Sequence, residues 1–212
     1  MPQKKIIDLQ VILAGKWDDG VRPKDLYANH IRNAPESNVA AIVKGLTSND
    51  RKVQNGCAEL ASLLSEEHPQ LLYPYVAMFI GNINAKEKIL RWEAVCTLGH
   101  MASVDVKNAI VPYLPRIIVH MRDKSIVLAG HAVRALSRMA LAYPEKSRDI
   151  FNAYLEAADA FPGNKIGFVI EAMEPLIGLN TLSSDIKSFV QPYKDSPVKV
   201  VAQKAARVLK KL

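Results

Sequence analysis

The feature that most constrains this 212-residue chain is an internal repeat with a period of 38 residues. Residues 89–102 and 127–140 align at that separation without a gap, and six of the aligned positions are identical and apolar. Weaker copies occur at residues 166–176 and 200–212, and an earlier one begins near Val53. A period of this length is typical of stacked units, in which each unit covers the apolar face of its neighbour.

The segments between these copies also repeat, and they indicate a second helix in every unit. Residues 71–76 and 110–115 share a Pro-Tyr pair followed by an apolar residue, again 38 positions apart. Polar turns such as residues 48–50 and 162–164 separate the helices. Asn, Asp and Ser in such turns can cap the helix that follows, and Pro and Gly end the helix that precedes. Each unit is therefore predicted to be a pair of helices.

The apolar residues of the predicted second helices have helical spacing. Between Ile126 and Ala140 they fall at positions 126, 129, 133, 136 and 140, which form one stripe on a helix surface. A single hairpin cannot bury the stripes of both its helices, so neighbouring hairpins must stack.

The motifs of these units resemble the HEAT repeat. That family has Leu-Leu-x-Pro-x-Leu in a first helix and Val-Arg-x-x-Ala-x-x-x-Leu in a second, and Leu90-Arg91-Trp92-Glu93-Ala94 followed by Leu98 matches the second motif. Ala129 and Ala202 replace the arginine in other copies. The resemblance implies an all-α, right-handed alpha-alpha superhelix, a HEAT-like solenoid of about five helical hairpins. It covers residues 36–212, with residues 1–35 expected to be an N-terminal helical cap segment of the same single domain.

Stacking would align equivalent residues of the second helices in columns. One column reads Cys96, Arg134, Glu174 and Arg207, and the adjacent one reads Glu93, His131, Glu171 and Lys204. The signs mostly alternate, which fits either a ladder of ion pairs between repeats or a mixed-charge groove for a polar partner. We expect Arg134 to lie beside Glu174. The residues predicted to contact a partner are Glu93, His131, Arg134, Arg138, Glu171, Glu174, Lys204, Arg207 and Lys211.

The formal net charge of +7 belongs mainly to the ends of the chain. Residues 187–212 carry 7 basic and 1 acidic side chains, whereas residues 53–186 carry 12 and 14. The last helix places its cations within a sector of about 140°. That sector is either the soluble outer face of a capping helix or a docking surface for an acidic partner or nucleic acid. Its basic residues are Lys199, Lys204, Arg207, Lys210 and Lys211.

The sequence carries no recognisable catalytic motif. The five histidines lack the spacing that places metal ligands on one helix face, and the glycines form no phosphate-binding loop. Two cysteines, Cys57 and Cys96, are too few for a structural zinc site and are expected to be small buried hydrophobes. We therefore expect a protein that is not an enzyme, with no cofactor, no metal and no small-molecule substrate.

The predicted function is that of a non-catalytic HEAT-repeat scaffold or adaptor, which binds a protein partner through its concave face or its basic C-terminal helix. One alternative is a DNA-binding or alkylpurine DNA glycosylase-like repair protein, for which Trp92, Asp123 and Arg134 have suitable side chains. Glu93, Glu171 and Glu174 would repel DNA on the same surface. A second alternative is a regulatory subunit of a larger complex. Without a signal peptide or an apolar membrane span, a cytoplasmic location is expected.

Overall fold

A computed structural model of the chain describes residues 8–18, 20–179 and 181–212, and these residues form helices joined by short turns, with no β-strand among them. The α-helices are α1 (Leu9–Ala14), α2 (Pro23–Leu26), α3 (Pro35–Gly45), α4 (Arg51–Glu67), α5 (Pro69–Leu72), α6 (Val76–Asn82), α7 (Lys88–Met101), α8 (Leu114–Val119), α9 (Ile126–Ala142), α10 (Ser147–Ala157), α11 (Ile166–Met173), α12 (Ser183–Val190) and α13 (Lys199–Leu209).

The helices belong to two compact units, one ending at Ile110 and the other comprising Val111–Leu212. In the N-terminal unit, α3 pairs with α4, and the second helices α4 and α7 pack side by side. In the C-terminal unit, α8, α10 and α12 are first helices, and the second helices α9, α11 and α13 pack in chain order. The predicted all-α class and the pairing of helices in repeated hairpins are confirmed.

Proline accounts for the interruptions in several of these helices. Pro74 and Pro112 each lie in a short 3-10 segment, Tyr73–Tyr75 and Val111–Tyr113, that leads into an α-helix. Pro175 lies in a third, Glu174–Gly178, which follows α11. Proline has no N–H to donate and its ring clashes with the preceding turn, so the α-helical pattern breaks where it occurs.

The polar turns cap the long helices as their sequences predict. The Asp50 carboxylate accepts hydrogen bonds from the backbone N–H groups of Lys52 and Val53, at the start of α4. The Ser125 hydroxyl accepts one from the N–H of Leu128 at the start of α9. Each cap satisfies N–H groups that have no partner inside the helix.

The apolar stripes of the second helices lie in the interior of each unit. In α9, Ala129, Val133, Leu136 and Ala140 are buried, as their spacing predicts, whereas Ile126 at the start of the stripe is half-buried. Burial of such side chains is the main force that holds neighbouring hairpins together.

Polar contacts between residues about one repeat length apart supplement the apolar packing. Ion pairs join Arg32 to Glu67 at 3.0 Å in the N-terminal unit and Arg122 to Asp159 at 3.1 Å in the C-terminal unit. Residues 35 and 37 positions apart are therefore neighbours in space. These pairs are largely exposed, and such pairs typically contribute less than about 1 kcal/mol each.

The segment before α3 packs on α4 through a glycine. A Cβ atom at Gly56 would lie 2.7 Å from a methyl group of Leu13 and 3.1 Å from the Trp17 ring, so only glycine leaves room for both. The Trp17 indole N–H also donates a hydrogen bond to the carbonyl of Leu13, at 2.9 Å. Residues 1–7 of the expected cap lie outside the described residues, and the boundary between residues 1–35 and 36–212 stays a prediction.

Candidate functional site

The C-terminal unit gathers eight of the nine predicted contact residues on its second helices. We call them, together with one aromatic residue, the C-terminal charged face. Helices α9, α11 and α13 carry most of them, and Glu174 and Lys211 follow directly after α11 and α13. The face consists of His131, Arg134, Arg138, Phe168, Glu171, Glu174, Lys204, Arg207 and Lys211.

One half of the face is a closed network of ion pairs. The Lys204 ammonium lies 2.8 Å from the Glu171 carboxylate, and the Arg207 guanidinium lies 3.0 Å from Glu171 and 2.8 Å from Glu174. Lys211 also pairs with Glu174. Two carboxylates thus share three cations across a separation of one repeat, so this part of the columns forms a ladder of ion pairs, one of the two arrangements that its alternating signs fit.

The network changes the acidity of both carboxyl groups. A hydrogen bond from Lys204 lowers the pKa of Glu171, with a further contribution from Arg207. Partial burial would raise the pKa of Glu174, but Lys211 and Arg207 outweigh it and the net shift is downward. Both groups are therefore ionised at neutral pH, and their charges are already matched by cations of the same chain.

The other half of the face contains two arginines that have no acidic partner among the residues that the structure describes. Across residues 8–18, 20–179 and 181–212, neither Arg134 nor Arg138 forms an ion pair with a carboxylate. The guanidinium carbon of Arg134 lies 5.9 Å from the centre of the Phe168 ring, within the range of a cation–π contact. Arg138 donates a long hydrogen bond of 3.4 Å to the backbone carbonyl of Arg134.

No ion pair joins Arg134 to Glu174 among the described residues, and the expectation that the two residues lie side by side stays a prediction. Arg207 and Lys211 reach Glu174 from the next second helix, while the aromatic face of Phe168 attracts the guanidinium of Arg134. The column assignment was right for the cations of α13.

The imidazole of His131 is neutral beside these arginines. Its burial, together with the charges of Arg134 and Arg138, lowers its pKa from 6.5 to about 4. Its Nδ1 atom lies 3.5 Å from a terminal nitrogen of Arg134. The histidine therefore adds no positive charge to this half of the face at neutral pH.

A cavity of about 240 Å³ opens between the two halves. One of its lining residues, Ser137, is buried and donates a hydrogen bond of 2.7 Å to the carbonyl of Ala172, so that neighbouring second helices are tied together at this point. The lining residues are Arg134, Ser137, Arg138, Glu171, Ala172 and Pro175. Since Glu171 is neutralised by Lys204 and Arg207, the uncompensated charge at this cavity is that of its two arginines.

Phe168 is the member of the face that sequence reasoning missed. Its ring also lies 5.5 Å from the Lys204 nitrogen, so it contacts cations of both neighbouring helices. The sequence indicates its exceptional role in one way. Phe168 is aromatic, whereas the equivalent residues of the other repeats, Leu90, Leu128 and Val201, are aliphatic. Those three are buried, whereas Phe168 is half-buried.

Glu93, the ninth predicted residue, lies in the N-terminal unit on α7. Burial raises the pKa of its carboxyl group from 4.5 to about 7, and the nearby charge of Glu59 acts in the same direction. The Trp92 indole N–H donates a hydrogen bond to it at 3.1 Å, which acts in the opposite direction. Trp92 itself is half-buried. Glu93 belongs to a local polar group of its own unit.

The basic sector of the last helix is largely engaged. Lys204, Arg207 and Lys211 are held by the ion-pair network, whereas Lys199 and Lys210 are exposed and have no ionic partner in the described part of the chain. A continuous row of free cations, such as a nucleic-acid backbone requires, is therefore not presented by this helix.

Other classes of site are poorly represented. In the described ranges, no three His, Cys, Asp or Glu side chains are placed to hold a metal ion. The Cys57 thiol is buried, and burial raises its pKa to about 12, so it is not a reactive thiolate. None of the helices formed by the described residues combines the length and apolar character that a membrane span requires.

Comparisons with known proteins place the fold among armadillo and HEAT-like helical repeats. A designed armadillo repeat protein aligns with 97% of this chain and 100% of its own, at 15% identity and a TM-score of 0.62. Two engineered proteins from the Northeast Structural Genomics Consortium cover 97% of the chain at TM-scores of 0.62 and 0.64, with 15% and 16% identity and 96% and 98% of their own lengths aligned. No protein-family profile and no curated protein matches the sequence.

Proposed function

We propose that this protein is a non-catalytic scaffold that binds an acidic segment of another protein on its C-terminal charged face. The observation that carries the proposal is the contrast between the two halves of that face. Every carboxylate of the face is held by cations, while Arg134 and Arg138 pair with no carboxylate of the described residues. If these arginines served only the stability of the fold, we would expect each of them to form an ion pair with a carboxylate of the same chain.

The position of Arg134 on the Phe168 ring supports the same interpretation. Arg134 is positioned by Phe168 and the two arginines lie one helical turn apart on α9, so little side-chain freedom is lost on binding. Arginine in such a position is also well represented among residues that dominate binding energy in protein interfaces.

A DNA-binding or alkylpurine DNA glycosylase-like function has less support. Glu171 and Glu174 lie on the same face, and three of its cations, Lys204, Arg207 and Lys211, are already paired with them. A regulatory subunit of a larger complex would use the same surface, and affinity capture would identify the other subunits of that complex as well.

The test is affinity capture from a lysate of the organism that encodes the chain. The immobilised baits are the natural protein, the double variant Arg134→Gln/Arg138→Gln, and the control Arg116→Gln/Lys187→Gln. The control removes the same amount of positive charge from two exposed positions on first helices. One of them resembles Arg134 in its surroundings, because the guanidinium carbon of Arg116 lies 5.6 Å from the centre of the Tyr113 ring.

We expect at least one protein to be retained by the natural chain and the control but lost from the Arg134/Arg138 variant. With the purified partner, the dissociation constant should rise about tenfold or more for that variant, because charge-assisted hydrogen bonds are lost. Identical sets of captured proteins on all three baits would contradict the proposal. Circular dichroism melting of each bait establishes that the variants remain folded.

A further inference from the structure

We infer that the group bound between Arg134 and Arg138 is a phosphate monoester on a side chain of the partner protein. This inference rests on the proposed function and specifies the chemistry of its ligand. The starting point is the charge at the cavity of about 240 Å³ that these arginines line.

The charge count favours a dianion over a single carboxylate. The cavity has two positive charges that no described group compensates, because Glu171 is neutralised by its own ion pairs and His131 is uncharged. A phosphorylated serine, threonine or tyrosine carries a charge of about −1.5 to −2 at neutral pH, which matches two guanidinium groups. One aspartate or glutamate would leave one of the arginines uncompensated.

The donor count leads to the same ligand. An arginine has five N–H donors, and three acceptor oxygens of a phosphate can each receive more than one hydrogen bond. Among the described contacts, Arg134 and Arg138 have only long hydrogen bonds of 3.5 Å and 3.4 Å, to His131 and to a backbone carbonyl. Most of their donors are therefore available to a ligand in the cavity.

The surroundings limit the ligand to a compact group. Glu171 and Pro175 line the same cavity, and Glu174 lies beside Glu171 in the shared ion-pair network. An extended polyanion would need further free cations beside the cavity, and Lys204, Arg207 and Lys211 are already paired with Glu171 and Glu174. The geometry thus favours one phosphorylated side chain of a protein over a nucleic-acid backbone.

The first experiment uses three degenerate peptide libraries that differ only at the central residue, which is phosphoserine, serine or glutamate. Retention of the phosphoserine library should exceed that of the serine library about tenfold or more. Either Arg134→Gln or Arg138→Gln alone should remove most of that difference, whereas Arg116→Gln/Lys187→Gln should preserve it. Equal retention of the three libraries, or retention that does not depend on Arg134 and Arg138, would overturn the inference.

A second experiment separates this inference from the proposed function. The partner captured from the lysate is treated with phosphatase and bound again to the natural chain. Loss of binding supports a phosphate ligand. A partner that still binds, and still requires Arg134 and Arg138, overturns the phosphate inference but leaves the scaffold function standing. If no captured protein depends on these arginines, the proposed function fails too. If duplex DNA displaces the partner protein, and if the binding of that DNA also requires Arg134 and Arg138, the site belongs to nucleic acid and the phosphate inference is overturned.

Discussion

The hydroxyl oxygen of Ser65 and the Nδ1 atom of His100 lie 2.7 Å apart in the interior of the N-terminal unit, although 35 residues separate them in the chain. The Ser65 hydroxyl donates its one hydrogen to the carbonyl of Ser62, also at 2.7 Å. The oxygen of Ser65 therefore accepts from His100, which places the imidazole hydrogen on Nδ1. This bond ties α4 to α7 at a site from which water is excluded.

Replacement of Ser65 by alanine should lower the free energy of unfolding by about 1–3 kcal/mol, because a buried N–H of His100 loses its acceptor. Urea denaturation measures the change. Ser188→Ala is the control, since the exposed Ser188 hydroxyl only donates to the backbone of its own helix. A loss for Ser65→Ala no larger than for this control would contradict the assigned role.

The contact between Gly45 and Cys57 predicts a second effect on stability. A Cβ atom at Gly45 would overlap the sulfur of Cys57 and lie 2.9 Å from its Cβ. Gly45→Ala should therefore cost about 2 kcal/mol through overpacking between α3 and α4. Gly81→Ala is the matched control in another helix, where the added Cβ would meet no heavy atom within 4 Å. That variant should be unchanged or stabilised by up to about 1 kcal/mol, and equal effects at both positions would refute the steric explanation.

Glu93 gives the N-terminal unit a pH dependence with a definite sign. Its pKa is raised from 4.5 to about 7 by burial and by Glu59, so the folded chain holds this proton more tightly than the unfolded chain. Stability therefore falls as the pH rises from about 4.5 to about 7. The variant Glu93→Gln is neutral at every pH and keeps the hydrogen-bonding partners of this side chain, Ser62 and Trp92. It should stabilise the protein at pH 8 more than at pH 4.5, by on the order of 2 kcal/mol.

Urea titrations of the natural chain and Glu93→Gln at the two pH values provide the measurement for this prediction. Glu66→Gln, a change of an exposed carboxylate on α4, should alter the free energy of unfolding by less than about 0.5 kcal/mol at both pH values. If the difference between Glu93→Gln and the natural chain is the same at both pH values, the assigned burial of this carboxyl group is wrong.

The buried thiol of Cys57 predicts protection from alkylating and disulfide reagents. Its pKa of about 12 leaves almost no thiolate at pH 8, and its side chain is inaccessible. In a Cys96→Ala background, the remaining thiol should react with Ellman's reagent only as fast as the protein opens, and at the rate of a free thiol in urea. Rapid labelling of the folded variant would show that α3 and α4 are not packed as described.

The repeat architecture could be predicted because it depends on apolar spacing, which the sequence displays directly. The same register placed Glu171 opposite Lys204 and Glu174 opposite Arg207, and these pairs are formed. The position of Arg134 could not be predicted in this way. Arg207 and Lys211 both pair with Glu174, whereas the guanidinium of Arg134 lies over the half-buried ring of Phe168. An aromatic ring does not appear in a column of charges, so the columns could not indicate this contact.

Within each unit, the described ion pairs and side-chain hydrogen bonds join residues no more than 37 positions apart, so neighbouring hairpins of a unit hold each other. A closed bundle cannot gain a helix without rearranging its existing contacts. A chain built in this way can gain or lose one hairpin by duplication or deletion of a gene segment, with new contacts needed only at the two junctions. The number of hairpins is thus free to vary in evolution while the pocket formed by Arg134, Arg138 and their neighbours on α9 and α11 is preserved.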